Sequence, residues 1–225
     1  MKLMHPALSS PIEFEENTVV TWVIENIPLF AECVLALTHQ IDQGMPGAFV
    51  LSKNSSECLM HKTMLLVRDP AGIDLNTDKR LVNGMLAQIK SVAIHDAYAE
   101  TSAIESQILS YAYRLFDAID YPLSLSKSID AAALMKCFGL EIEQGETLLE
   151  RCSSLMRAAQ AFMRTAVVVF VGLKAYLTPE ALTLLYQDAF TQKLHLLLLE
   201  PTTRPRLAAE RVIITDPDLC EIRYP

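Results

Sequence analysis

The sequence predicts an α/β fold in which a mainly parallel sheet carries a long α-helical excursion. Three observations predict it. Short apolar runs of strand length lie toward both ends of the chain, helical periodicity fills the middle without a proline, and strands alternate with helices over the last third. With 225 residues, 51% of them hydrophobic, the chain buries a sizeable core and has room for one large domain or a head with an appended module.

In chain order, residues 18–24 and 47–51 read as β-rich apolar pieces. Between them, 29–43 has apolar residues at three- and four-residue spacing and reads as a helix. Thr63-Met64-Leu65-Leu66-Val67 is a buried strand that stops at Arg68-Asp69-Pro70-Ala71-Gly72, where proline and glycine mark a loop. From Asn76 to about Ile119 there is no proline and one glycine, Gly84, while Val82, Met85, Leu86, Ile89, Val92 and later Ile104, Ile108, Tyr111, Leu115 and Ile119 keep helical spacing. The small polar patch 96–102 is the expected break, and Tyr121-Pro122 ends the region because a residue before proline is pushed out of the α conformation. A further helix is expected from about Ile129 to Phe138, closed by Gly139 as a left-handed cap. The last third reads as helix 146–163, strand 166–171, a helix starting at Thr178-Pro179-Glu180, strand 195–199 and strand 212–215. The division that follows is a head of 1–75 with 140–225 and a helical leg of 76–139.

Composition narrows the function classes. A net charge of −8 and a pI near 5.1 argue against a protein that coats nucleic acid over its whole surface, so any such contact must be local. Cys33, Cys58, Cys137, Cys152 and Cys220 are odd in number, widely spaced and without a Cys-x-x-Cys pair, which fits a reducing, cytoplasmic setting. The start, Met1-Lys2-Leu3-Met4-His5-Pro6, leads into Glu13, Glu15 and Glu16 and lacks the apolar stretch of a signal peptide. The apolar runs 166–171 and 194–199 fall far short of the roughly 20 residues of a membrane-spanning helix.

No catalytic constellation stands out. A phosphate-binding loop needs Gly-x-x-x-x-Gly-Lys-Ser/Thr, and the nearest fragment is Val171-Gly172-Leu173-Lys174, where one glycine builds no anion nest and Ala175 replaces the hydroxyl that would hold magnesium. Leu196-Leu197-Leu198-Leu199-Glu200 has the form of the apolar strand and terminal acid that holds magnesium in many ATPases, or simply of a buried strand ending in a glutamate. His5, His39, His61, His95 and His195 show no metal-ligand spacing, and no Gly-x-Ser-x-Gly elbow or adjacent Cys-His pair is present.

Three stretches together resemble the Csn-two family, the small protein of subtype II-A CRISPR systems. They are Met64-Leu65-Leu66-Val67-Arg68-Asp69-Pro70-Ala71-Gly72-Ile73-Asp74-Leu75-Asn76, Val168-Val169-Phe170-Val171 through Leu177-Thr178-Pro179-Glu180, and Leu196-Leu197-Leu198-Leu199-Glu200-Pro201, joined by Gly139-Leu140-Glu141-Ile142-Glu143 before the next helix. The resemblance implies an ATPase-like α/β head with a degenerate nucleotide site, an extended α-helical leg and a homotetrameric ring. It also implies binding of the ends of linear double-stranded DNA through a lysine-lined hole, in spacer acquisition with the integrase proteins and the effector nuclease. Some members of the family bind calcium through acidic residues near the end of the long helical region. Here that stretch reads Leu123-Ser124-Leu125-Ser126-Lys127-Ser128, with Asp117, Asp120 and Asp130 nearby. The chain is also poorer in lysine than the family pattern.

The expected function is therefore a non-enzymatic ring subunit in antiviral defence that threads a DNA end, with Lys53, Lys62, Lys174, Arg204 and Arg206 contacting phosphates without reading sequence. Lys53 falls in a segment similar to a basic stretch of the family. Two other readings stay open at this point. One is a metal-dependent nuclease or nucleotidase using Asp69, Asp74 and Glu200, three carboxylates that follow strand ends. The other is a protein-only scaffold of the acquisition complex.

Overall fold

The computed structural model describes residues 1–125 and 130–224. The chain divides into two compact units, Met1–Leu75 with Glu143–Pro225, and Asn76–Ile142. Among the described residues no helix is long and apolar enough to cross a membrane.

The first unit is built on strands β1 (Lys2–Met4), β2 (Ile12–Glu13), β3 (Val19–Ile24), β4 (Val50–Lys53), β5 (Ser56–Cys58), β6 (Met64–Val67), β7 (Val167–Val171), β8 (His195–Glu200), β9 (Glu210–Thr215) and β10 (Glu221–Tyr224). Among the described residues they form a six-stranded sheet in the order β10-β9-β3-β8-β7-β6 and a four-stranded sheet in the order β2-β1-β4-β5. In the larger sheet β3 runs parallel to both β8 and β9, β7 runs parallel to β8 and to β6, and β10 alone is antiparallel. Strands covered on both faces read as continuous apolar runs, and β3 (VVTWVI), β6 (MLLV) and β7 (VVVFV) do so.

Strand alternation assigns the two faces. Val20, Trp22 and Ile24 of β3 join a core with Leu197, Leu199, Val169 and Leu66, packed against Cys33, Leu37 and Ile41 and against Leu3 and Leu51 of the small sheet. Val19 and Val23 face the other way, and so do their register partners Glu210 and Glu200. That face is covered by α7, from which the Tyr186 hydroxyl donates to Glu210.

The helices are α1 (Ile27–Leu37), α2 (Met60–Thr63), α3 (Lys79–His95), α4 (Tyr98–Phe116), α5 (Ala131–Cys137), α6 (Leu148–Met163) and α7 (Pro179–Thr191). Their starts follow capping chemistry. Asn26, Asp78, Asp130 and Thr178 cap α1, α3, α5 and α7 with side-chain oxygens, and Thr147 forms a reciprocal capping box with Glu150 at α6. Helix α1 loosens into a π-helical turn, Thr38–Asp42, that turns the buried Gln40 inward. Its amide accepts from Phe49 N at 2.9 Å and donates to Phe49 O at 2.7 Å, standing in for a strand partner just ahead of β4.

In the second unit α3 and α4 are separated at Asp96 and Ala97, inside the expected break, and both amides turn back to Val92 O. Gly139 has φ +69°, the left-handed cap. The expected helix start at Ile129 lies outside the described residues; the described helix begins at Ala131 under the Asp130 cap. The two ends of this unit meet, because Ile142 N donates to Asn76 Oδ1 at 2.7 Å and Asn76 Nδ2 donates to Ile142 O at 3.1 Å.

The strand expected at 47–51 starts instead at Val50, since Gln40 satisfies the Phe49 backbone from the side. Gln40→Leu keeps the volume and removes both bonds, leaving a buried N–H and C=O unpaired. It is expected to lower the unfolding free energy by about 3 kcal/mol, measured as a lower urea midpoint at unchanged m-value.

Candidate functional site at the carboxyl edge of the sheet

Open α/β sheets bind ligands beyond the carboxyl ends of strands, where the strand order reverses direction. Here that point is β3: β6, β7 and β8 approach it from one side, and β9 and β10 continue on the other. A nucleotide phosphate would need a wide turn rich in free amides between β3 and α1. Only Glu25 and Asn26 lie between Ile24 and Ile27.

Several polar groups of that turn are committed to neighbours. The Asn26 side chain accepts from Leu29 N at 3.0 Å and donates to Pro217 O at 2.8 Å, and Glu25 N donates to Thr215 O at 2.9 Å. Pro28 has no amide proton to offer, and Phe30 N is bonded to Asn26 O. The Glu25 carboxylate, which would repel a phosphate, accepts from Thr203 Oγ1 at 2.8 Å. The chain's own groups thus occupy the side chains and the Glu25 amide at this crevice.

The neighbouring turn after β7 is closed by a buried cation. Gly172 takes φ +67°, which lets the chain drop into a 3-10 turn, Leu173–Ala175, and carries Lys174 inward. The Lys174 side chain is 4% exposed; its ammonium donates to Glu210 Oε2 at 2.8 Å and to Pro205 O at 3.0 Å, while Lys174 N donates to Glu200 Oε1 at 3.0 Å. Glu210 also accepts from Tyr186 Oη at 2.6 Å and from Leu207 N at 3.2 Å. Burial pushes the Tyr186 hydroxyl far up, with the adjacent Glu210 charge adding to it. Burial also holds the Glu200 carboxyl above its ordinary value, against the lowering effects of Lys174 and Arg204. The cluster is a satisfied internal ion pair, with its charges out of reach of solvent.

Lys174 was expected to contact phosphate, and its burial corrects that assignment. Lys53 is exposed at the β4–β5 hairpin, where Asn54 (φ 51°) and Ser55 (φ 65°) both take the left-handed conformation of a two-residue hairpin turn. Lys62 is exposed on α2, and Arg204 is exposed in the β8–β9 loop. Arg206, also exposed, donates through Nε to Glu210 O at 3.0 Å and so braces the same loop.

The carboxylates of the enzyme reading have local tasks. Asp69 accepts from Ala71 N as the cap of a 3-10 turn, Asp74 accepts from Gln144 Nε2, and Glu200 belongs to the buried cluster. Among the described residues no group of three or more His, Cys, Asp or Glu is placed to hold a metal ion. Of the carboxylates near the end of the helical region, Asp130 accepts from Ala132 N as the cap of α5, while Asp117 caps the end of α4 through its backbone amide. Ser126, Lys127 and Ser128 of the stretch compared with the family's calcium segment lie outside the described residues.

Sequence reasoning missed the Cys33–His5 contact, with Sγ 4.0 Å from Nε2 between buried side chains. This is no activated thiol. Burial pushes Cys33 up to about 12 and lowers His5, so the neutral forms prevail. Glu210, Tyr186 and Glu25 were also missed, since the side-chain partners that define their roles lie at least 24 residues away and leave no local pattern.

Comparisons agree with this architecture. The family model for CRISPR-associated protein (Cas_Csn2) matches residues 41–219. A protein described as CRISPR-associated protein Csn2, from Streptococcus agalactiae, is 23% identical over 210 residues, covering 89% of each chain. Stu0660 of Streptococcus thermophilus, a crystal structure, matches with TM-score 0.61 at 11% identity over 96% of this chain and 75% of its own, a likeness of fold. A nucleotide-free ATP-binding cassette from an ABC transporter matches with TM-score 0.47 at 12% identity, covering 96% of this chain and 85% of its own.

Two outcomes test the site. The folded chain holds the Glu200 proton more tightly than the unfolded chain, whose carboxyl titrates near 4.5, so this stabilisation is complete below pH 4.5 and is lost as pH rises through the folded value. Glu200→Gln, which still accepts from Lys174 N, is expected to flatten that fall and to be at least as stable as wild type at pH 7; an unchanged slope in pH-dependent denaturation contradicts it. A thiol reagent on the native protein is expected to label Cys137 and Cys220, which are exposed, while Cys33 and Cys152 react only after unfolding.

Proposed function

Because the chain belongs to the Csn2 family of CRISPR-associated proteins, we propose that it serves CRISPR spacer acquisition as a non-enzymatic ring subunit that holds ends of linear double-stranded DNA. The observation that carries this reading is the contrast between two sets of groups at the sheet edge and hairpin. The groups that would handle a nucleotide are consumed internally, whereas Lys53, Lys62 and Arg204 are exposed cations.

Phosphate contact through such cations supplies affinity without reading bases, as a protein that takes up arbitrary invading sequence requires. The net charge of −8 confines the contact to a local lining, and a closed homotetramer concentrates a few cations per subunit around one duplex while the outside stays acidic. The partners in this reading are DNA, further copies of the chain, the CRISPR integrase proteins and the effector nuclease.

The test is binding to linear and covalently closed DNA of equal sequence across a salt series, without nucleotide. The expected result is a preference for linear DNA, with log affinity falling by about 0.9 per phosphate contact per log unit of salt. Lys53→Ala, Lys62→Ala and Arg204→Ala are each expected to reduce that slope by roughly one contact per subunit involved. A folded oligomer with no affinity at low salt overturns the DNA reading and leaves a protein-only scaffold. Metal-dependent strand cleavage overturns its non-enzymatic part.

A further inference from the structure

We propose that Lys174 is a positioning residue for nucleic-acid binding: from inside the protein it fixes the β8–β9 loop, so that Arg204 meets phosphate on a backbone already set in place. The inference rests on the reading that Arg204 contacts DNA. It concerns how the contact is prepared.

Arg204 stands between two anchored neighbours. Thr203 Oγ1 is bonded to Glu25 Oε1 at 2.8 Å, tying one side of Arg204 to the β3–α1 turn. On the other side Pro205 O accepts from the Lys174 ammonium at 3.0 Å. Leu207 N then donates to the Glu210 carboxylate, which holds Lys174, and the Arg206 guanidinium donates to the Glu210 backbone carbonyl. Pro205 fixes its own φ and restricts Arg204 to extended conformations. The exposed arginine thus has a fixed backbone and a free side chain.

A nine-residue connection at a sheet edge ordinarily pays conformational entropy when it is immobilised on a ligand. Here the order is built in during folding, by a buried cation that never reaches the ligand. No nucleotide is needed to set the loop.

Amide hydrogen exchange and DNA binding on the full chain test this together. In Lys174→Met, the amides of residues 202–207 are expected to accelerate by a larger factor than those of β3, β7 and β8, whose shared acceleration reports the global loss of stability. Affinity for linear DNA is expected to fall on the order of tenfold. In an Arg204→Ala background the same substitution is expected to change affinity less than about twofold, because the contact it prepares is already gone. Should Lys174→Met not fold, the double variant Lys174→Met/Glu210→Gln, in which both charges of the pair are removed together, carries the same measurements.

Exchange over 202–207 accelerated no more than that of β3, β7 and β8, or an equal loss of affinity with and without Arg204, overturns the role of Lys174 while leaving DNA binding by the wild type intact. Absence of DNA binding by the wild type overturns the preceding reading and the binding half of this one.

Discussion

A charge removed from water has to be answered completely, and the Lys174–Glu210 pair is where this chain meets that constraint. The ammonium and the carboxylate lie beneath α7 with almost no solvent contact, and they are further bonded to Pro205 O, Tyr186 Oη and Leu207 N. Removing one partner of such a pair leaves an uncompensated charge and typically costs about 3–5 kcal/mol. The pair joins the turn after β7, the start of β9, the helix above them and the loop between β8 and β9. Much of the carboxyl edge of the sheet is set by it.

This edge shows how the carboxyl side of an open α/β sheet can be taken up by the chain's own groups. The turn after β3 is two residues long and spends its amide, its asparagine and its glutamate on neighbouring backbone and on Thr203. The cation nearby is turned inward, and Glu200, at the end of an apolar strand, accepts from a backbone amide. Groups that resemble nucleotide machinery in one dimension therefore serve cohesion in three.

Much of the architecture was legible because its strands are buried on both faces. The runs in β3, β6, β7 and β8 announce themselves by continuous apolar character, and α7 by the Thr178-Pro179 start. Of the small sheet only β4 left a trace, in the apolar piece at 47–51; the other strands are two or three residues long, too short for an alternation to repeat. Strand β10 was missed because half of its residues face solvent, Ile222 and Tyr224 among them. The error over Lys174 has the same origin. A lysine after Gly172 reads as a loop cation, and only Glu210, 36 residues later, shows that it is buried. Lys53, Lys62 and Arg204 were legible as exposed because their environments are local: a hairpin turn, a short helix and a proline-rich loop.

The paired hydrogen bonds between Asn76 and Ile142 have an evolutionary consequence. On the other side of the junction Leu75 N is bonded to Gln144 Oε1, so entry to and exit from the 76–142 segment are stitched together on adjacent residues. A segment whose ends already touch behaves as a cassette. The sheet registers only a short stitch, because closing a longer loop costs little more than closing a shorter one. Lineages are thus at liberty to lengthen, trim or exchange the cassette without disturbing the strand order of the sheet, and this is where descent can diversify the protein at least expense to its core.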